Sequence, residues 1–252
     1  MAKNILIYGL HAVQAYLDRQ PEGVLEVFLL KSRDDERLNR LIQALRPLGL
    51  NLQWRERNQL DELAGDTHHQ GVVARVREQA PGDEHALMDF LDALEVPPFL
   101  LILDGVTDPH NLGACMRSAD AAGVQALITP RDKSASITPV VRKVAVGAAD
   151  TLPFFQVTNL ARTMEALRER GIWLVGTALE PSAKSLHDMN LTGPLGIVMG
   201  AEGSGMRRLT REHCDHLVYI PMAGMVESLN VSVATGVTLF EALRQRKGAG
   251  GV

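Results

Sequence analysis

The sequence predicts an α/β protein of two units, the larger built on a parallel sheet. Three observations carry this. Short runs of branched apolar residues alternate with helical patterns along most of the chain. Two of the runs, Leu100 to Leu103 and Leu195 to Met199, contain no polar residue, as in parallel strands buried on both faces. A proline-bounded acidic segment separates the two groups of elements.

The bulk properties suit this class. The chain has 252 residues, 46% hydrophobic and 22% charged, ordinary values for a globular protein. No apolar run approaches the roughly 18 residues that span a membrane. The N-terminal apolar patch is too short for a secretory signal, so a cytoplasmic protein is expected. Cys115 and Cys214 are the only cysteines, and neither lies in a C-x-x-C pair. Disulfide and zinc frameworks are therefore not expected. Net charge is −4, and residues 78–98 alone carry six acidic residues and no basic one. The flanking regions are each close to neutral, which leaves room for local basic patches and a nucleic-acid partner.

Residues 1–77 form the first unit. Strands are expected at Ile5 to Tyr8, Val24 to Leu30, Leu50 to Trp54 and Val72 to Val76. Helices are expected over His11 to Asp18, Asp35 to Leu45 and around Gln59 to Leu63. The turns Gly9-Leu10-His11 and Thr67 to Gly71 could face a partner. His68 and His69 have no third ligand at useful spacing, so they read as surface histidines. Residues 78–98 read as a linker with a docking helix, striped by Leu87, Phe90, Leu91 and Leu94. Its acidic residues should face away from any RNA.

Residues 99–252 form the second unit. The strand at Leu100 ends in the polar stretch Asp104 to Asn111. Asp108 before Pro109 is a helix start, with Asp as cap and Pro at the first helical position. In that helix Leu112, Cys115, Met116, Ala119 and Ala122 share one face, which makes Cys115 a small core residue. Arg117 projects from the opposite face, either as a solvated charge or as an anion contact. Gln125 to Thr129 is the next strand. The loop Arg131 to Thr138, followed by a helix over Pro139 to Ala148 with Arg142 and Lys143, is the best candidate for a basic patch. Phe154 to Val157, a helix over Leu160 to Arg170 and Ile172 to Gly176 follow. The apolar strand at Leu195 runs into Gly200-Ala201-Glu202-Gly203-Ser204-Gly205. Three glycines in six residues imply close approach by a ligand or by another backbone. A short helix over Met206 to His213 leads to the last unit.

That unit is a strand, Leu217 to Ile220, stopped by Pro221, then a polar bend with Glu227, Ser228 and Asn230, then a helix. Val233, Val237 and Phe240 recur at i, i+4, i+7 and are expected to form its buried face. Gly236 inside the helix suggests close packing against its backbone. Such a unit is either a ligand site at a strand's carboxyl end or one more piece of core. The loop G-x-x-G-x-G is not the dinucleotide fingerprint. Walker and nucleophile-elbow motifs are also absent.

Three segments together carry a family resemblance: Asp104-Gly105-Val106 through Asn111-Leu112-Gly113 to Arg117-Ser118-Ala119; Ile197 to Gly205; and Ile220-Pro221-Met222 through Ser228 to Ala234. In order and spacing they resemble the signature motifs of the SpoU family of RNA ribose methyltransferases, within the SPOUT superfamily. Residues 1–77 look like that family's L30e-like RNA substrate-binding domain. The resemblance implies a parallel-sheet catalytic domain with a deep trefoil knot and a homodimer with active sites near the subunit interface. It implies transfer of a methyl group from S-adenosyl-L-methionine to a ribose 2′-hydroxyl, of a guanosine in the peptidyl-transferase region of 23S rRNA. The substrate would be that RNA or the assembling large ribosomal subunit, with no membrane or metal involved. A tRNA ribose methyltransferase and a non-catalytic ribosome-assembly protein are the alternatives. The implied cofactor positions are Thr177, Gly200, Ile220, Met222 and Leu229. The implied catalytic set is Arg117, Asn111, Glu202, Ser228 and Asn230. In it Arg117 binds the phosphate beside the target ribose, and Asn111 and Glu202 orient Arg117 and the ribose.

Overall fold

The computed structural model describes residues 4–65, 67–78 and 80–248. Its contacts divide the chain into two compact units, 1–80 and 81–252.

In the first unit the strands are β1 (Asn4–Tyr8), β2 (Val24–Leu30), β3 (Leu52–Arg55) and β4 (Val72–Arg77), in the order β1-β4-β2-β3. β4 runs antiparallel to both neighbours, and β2 pairs β3 in parallel. Helices α1 (Leu10–Arg19) and α2 (Glu36–Leu45) cover one face through Val13, Leu17, Leu38, Leu41 and Leu45. Helix α3 (Arg57–Ala64) covers the other through Leu60. Asp35 caps α2 by accepting from the Arg37 and Leu38 backbone N–H groups. His69 departs from the surface expectation. It is 1% exposed, its Nε2 lies 3.0 Å from Asp61 Oδ1, and its Nδ1 accepts from Gly71 N–H. A buried imidazole bonded at both nitrogens is a structural pin for the turn before β4.

The second unit is a seven-stranded sheet, parallel throughout. Its strands are β5 (Phe99–Asp104), β6 (Ala126–Pro130), β7 (Phe154–Val157), β8 (Trp173–Thr177), β9 (Lys184–Ser185), β10 (Leu195–Gly200) and β11 (His216–Tyr219). Their order is β7-β6-β5-β10-β8-β11-β9. All six residues of β5 are buried: the apolar run Phe99 to Leu103 and the closing Asp104. One face carries α5 (Pro109–Ala121), α6 (Pro139–Ala145), the short α7 (Ala148–Thr151) and α10 (Val231–Gly248). The other carries α4 (Glu84–Asp92) and α8 (Leu160–Glu169), with α9 (Arg208–Glu212) against α8. Helix α4 sits on this unit. Gly82 bridges to Phe155, Phe90 meets the Phe155 ring at 5.5 Å, and Glu84 accepts from the Thr158 and Asn159 N–H groups ahead of α8.

Four expectations are corrected here. The helix expected over Pro139 to Ala148 stops at Ala145, because Val146 and Gly147 take positive φ of 52° and 92° before α7 begins. Arg142 does not join a basic surface patch, since it pairs with the nearly buried Asp150. The face of α10 that packs is Val231, Thr235, Thr238, Leu239 and Ala242, whereas Val233, Val237 and Phe240 are 50%, 37% and 48% exposed. Thr235 and Thr238 bury themselves by donating back to the Val231 and Ala234 carbonyls, which lets polar residues serve as core. Gly236 faces α5, yet a Cβ there would meet only Ser118 Oγ, at 3.6 Å. That is ordinary contact, so among the described residues nothing requires glycine there.

Candidate active site

The carboxyl ends of the central strands meet here. Gly200 is in register with Asp104 across β10 and β5, and Val218 with Thr177 across β11 and β8. In open parallel sheets this is where ligands bind.

The segment after β10 is a tight hairpin. Ala201 and Gly205 exchange both backbone hydrogen bonds, at 3.1 and 2.9 Å, and Gly203 and Gly205 take positive φ of 76° and 65°. A Cβ on Gly200 would lie 2.2 Å from the Gly205 carbonyl carbon and the Met206 nitrogen. Glycine at 200 is therefore forced by another backbone, one of the two causes the sequence left open.

At the hairpin's tip Glu202 joins a polar cluster. Asn230 Nδ2 donates to Asn111 Oδ1 at 3.0 Å and to Glu202 Oε1. Its Oδ1 accepts from Ser232 N–H at 2.9 Å and Ser232 Oγ–H at 2.6 Å, which caps α10. The Asn230 amide is thus held at both ends. Asn111 reaches the cluster because Asp108 and Pro109 start α5 beside it, with Asp108 accepting from His110 N–H.

Beside the cluster lies a cavity of about 680 Å³. Thr177, Gly200, Ile220, Met222 and Leu229 all line it, as do Glu202, Ser228 and Asn230. Asn111 and Arg117 do not. Arg117 is exposed on α5 and, among the described residues, makes no hydrogen bond or ion pair. Asn111 and Glu202 bond Asn230 and, among the described residues, neither bonds Arg117. The sequence reading also missed Glu180 and Arg211, which pair at 2.7 Å in the cavity wall. Glu180 stands three residues beyond the end of β8, and that position was its only signal. Burial pushes both thiols up, Cys115 to about 11 and Cys214 to about 12, which disfavours a thiolate at either position. Among the described residues no cluster of His, Cys, Asp or Glu could hold a metal ion.

A strand-end cavity of this size, walled by glycine backbone and bordered by a locked Asn–Asn–Glu cluster, defines an α/β enzyme with a nucleotide-sized site. The comparisons make the class specific. Residues 98–240 match the SpoU rRNA Methylase family, and residues 6–81 match the RNA 2′-O ribose methyltransferase substrate-binding family. The chain belongs to the SpoU rRNA methylase family. It is 61% identical over 243 residues to the 23S rRNA (guanosine-2′-O-)-methyltransferase RlmB of Pectobacterium atrosepticum, covering 96% of this chain and 99% of that protein. Against the RlmB of Escherichia coli (strain K12) the identity is 58% over 241 residues, covering 96% and 98%. In fold it is similar to the SpoU methyltransferase AviRb of Streptomyces viridochromogenes, solved in complex with the cofactor AdoMet. There the TM-score is 0.73 and the identity 26%, covering 97% of this chain and 91% of that one.

Proposed function

We propose that this protein transfers a methyl group from S-adenosyl-L-methionine to the ribose 2′-hydroxyl of a guanosine in the peptidyl-transferase region of 23S rRNA. The observation that carries the reading is the coincidence of the five implied cofactor positions Thr177, Gly200, Ile220, Met222 and Leu229 around one cavity, in a chain 61% identical to an RlmB over nearly its full length.

The cavity residues fit the cofactor. Three carboxylates, Glu180, Glu202 and Glu227, line it against one guanidinium, Arg211. That net negative charge suits a sulfonium cation. Met199, Ile220 and Leu229 supply apolar wall, and Gly200 supplies backbone without a side chain. When bound, the cofactor supplies an electrophilic methyl group with a neutral thioether as leaving group.

The chain's own residues must position the ribose and ease loss of one proton. Positioning is worth roughly 7–11 kcal/mol and proton transfer a factor of about 10²–10⁴. The Asn230 amide is fully used. The groups left for the ribose are the Asn111 amide N–H₂ and the second oxygen of Glu202. Ser228 also lines the cavity and contributes its hydroxyl to the reacting nucleotide. A guanidinium is a poor base at neutral pH, which argues against Arg117 as the proton acceptor. Its exposure outside the cavity suits a contact to the phosphate beside the target ribose.

The first unit is the RNA substrate-binding domain, and the enzyme works in the cytoplasm. The C-terminal chain is threaded as a trefoil knot, a reading favoured by β11 returning to the far side of β8 before α10 crosses back to α5. The outward stripe Val233, Val237 and Phe240 favours a homodimer built on α10. Mapping 2′-O-methyl groups on rRNA from cells with and without this protein tests the activity. Loss of one guanosine mark in 23S rRNA is expected. An unchanged rRNA map would refute the reading and point to tRNA or to a binding role.

A further inference from the structure

Asp104 closes β5, a strand otherwise wholly apolar. Its side chain is fully buried, and a single residue satisfies both of its oxygens. Oδ2 accepts from the Arg207 backbone N–H and Oδ1 from the Arg207 Nε–H, each at 2.7 Å. Arg207 follows Met206 directly, at the foot of the Gly200 hairpin, with its side chain 49% exposed. One end of the pair is therefore fixed in the sheet and the other in the segment that carries Glu202.

A buried ion pair is weak evidence for stability, because apolar residues of similar volume serve as well or better. What this pair supplies is geometry. The hairpin is held at its neck by the backbone contact at Gly200 and at its tip by Glu202 bonding Asn230. Met206 packs its foot into the core cluster that holds Leu100 and Ile102 of β5, and the Asp104–Arg207 clamp adds a polar, directional tie from that foot to β5. Because a backbone and a side-chain donor of Arg207 each engage one carboxylate oxygen, the clamp fixes direction as well as distance.

We infer that Asp104 is a positioning residue: through Arg207 it sets the hairpin wall of the cavity and the reach of Glu202 to Asn230. The inference rests on the methyl-transfer reading above.

The test is Asp104→Asn in the full-length protein, which keeps the shape and one acceptor but removes the charge. The KM for S-adenosylmethionine should rise, and kcat/KM for the cofactor should fall about 10–100-fold, the scale of a misplacement near 1 Å. The Kd for RNA and the far-UV circular dichroism should stay at wild-type values. Combined with Glu202→Gln, the loss should be smaller than the product of the two single losses, since a displaced hairpin has already withdrawn Glu202. A structural role alone would not produce that coupling. Should Asp104→Asn not fold, Arg207→Lys carries the test: it keeps the backbone N–H and the charge, and should raise the cofactor KM by less. Wild-type kinetics in both variants, or fully multiplicative losses with Glu202→Gln, would overturn the inference alone. A wild-type protein that binds no S-adenosylmethionine would overturn the methyl-transfer reading, and this inference with it.

Discussion

Gly200→Ala isolates what the hairpin backbone does. The added Cβ would stand 2.2 Å from the Gly205 carbonyl carbon and the Met206 nitrogen, both backbone atoms that cannot rotate away. Reaching the 3.4 Å of ordinary contact means moving one segment from 2.2 to 3.4 Å, about 1.2 Å. The paired hydrogen bonds between Ala201 and Gly205 and the clamp at Arg207 oppose that movement. Overpacking of this kind costs about 1–3 kcal/mol of stability. A wall displaced by about 1 Å costs up to about 10²-fold in rate, or about 2.7 kcal/mol of barrier. The expected outcome is a folded, destabilised protein whose cofactor affinity and methyl-transfer rate both fall by one to two orders of magnitude. Calorimetric titration with S-adenosylmethionine and single-turnover transfer to rRNA read the two effects. Gly236→Ala is the matched control: its Cβ would lie 3.6 Å from Ser118 Oγ, and a helical alanine gains up to about 1 kcal/mol over glycine. If Gly200→Ala bound cofactor and transferred methyl like the wild type, the claim that hairpin geometry builds the cavity would be wrong.

Other expected outcomes follow from single contacts. Arg117→Ala should leave the melting temperature unchanged, since the side chain is exposed and unbonded, yet lower methyl transfer by at least about 10²-fold; wild-type turnover would remove Arg117 from the mechanism. Neither thiol should react with a disulfide reagent at pH 8 in the folded protein, because burial holds Cys115 near about 11 and Cys214 near about 12; rapid labelling of the native state would contradict the packing. The Arg244 guanidinium, then the Gln245 amide, hold Glu241 down from 4.5 to about 2. A depressed carboxylate stabilises the fold fully above its unfolded value and loses that contribution as pH falls through its folded value. Glu241→Gln should therefore melt lower than the wild type above about pH 4.5, with the gap closing toward pH 2; a gap independent of pH would refute the assignment.

Much of the second unit was legible because its physics is local. A strand buried on both faces must be apolar throughout, so β5 and β10 announce themselves. Asp108 and Pro109 mark the start of α5 because only a few residues cap a helix or occupy its first turn cheaply. The glycine hairpin was legible as a place of close approach, though its partner proved to be its own backbone. What escaped depends on side-chain pairings that local periodicity does not encode. His69 looks like surface until Asp61 and the Gly71 amide are known to meet it. Arg142 looks like a free charge until Asp150, eight residues on, folds back across the break at Val146. Asp104 reads as the polar end of a strand, and nothing in the local pattern says that both its oxygens belong to Arg207, 103 residues away.

Helix α10 is the instructive failure, because the pattern was real and its assignment was reversed. Val233, Val237 and Phe240 do form one apolar stripe, but that stripe faces outward. The inward stripe mixes Val231, Leu239 and Ala242 with Thr235 and Thr238, whose hydroxyls are satisfied inside the helix and so cost little to bury. Apolar periodicity reports which side chains avoid water; it does not say whether the covering surface belongs to the same chain. A helix with two such stripes has more apolar surface than its own unit can cover. The inner stripe is committed to α5, where Thr235 meets Cys115, and to the 189–191 segment through Gln245, which accepts from Leu191 N–H and donates to the Met189 carbonyl. With the inner face fixed by bonds at both ends of the helix, rotation cannot bury the outer one. The stripe that misled the sequence reading is for that reason the strongest physical argument for a second copy of the chain. The Asn230 cap ties this same helix to Asn111 and Glu202, so a partner seated on α10 would bear directly on the geometry of the cavity border.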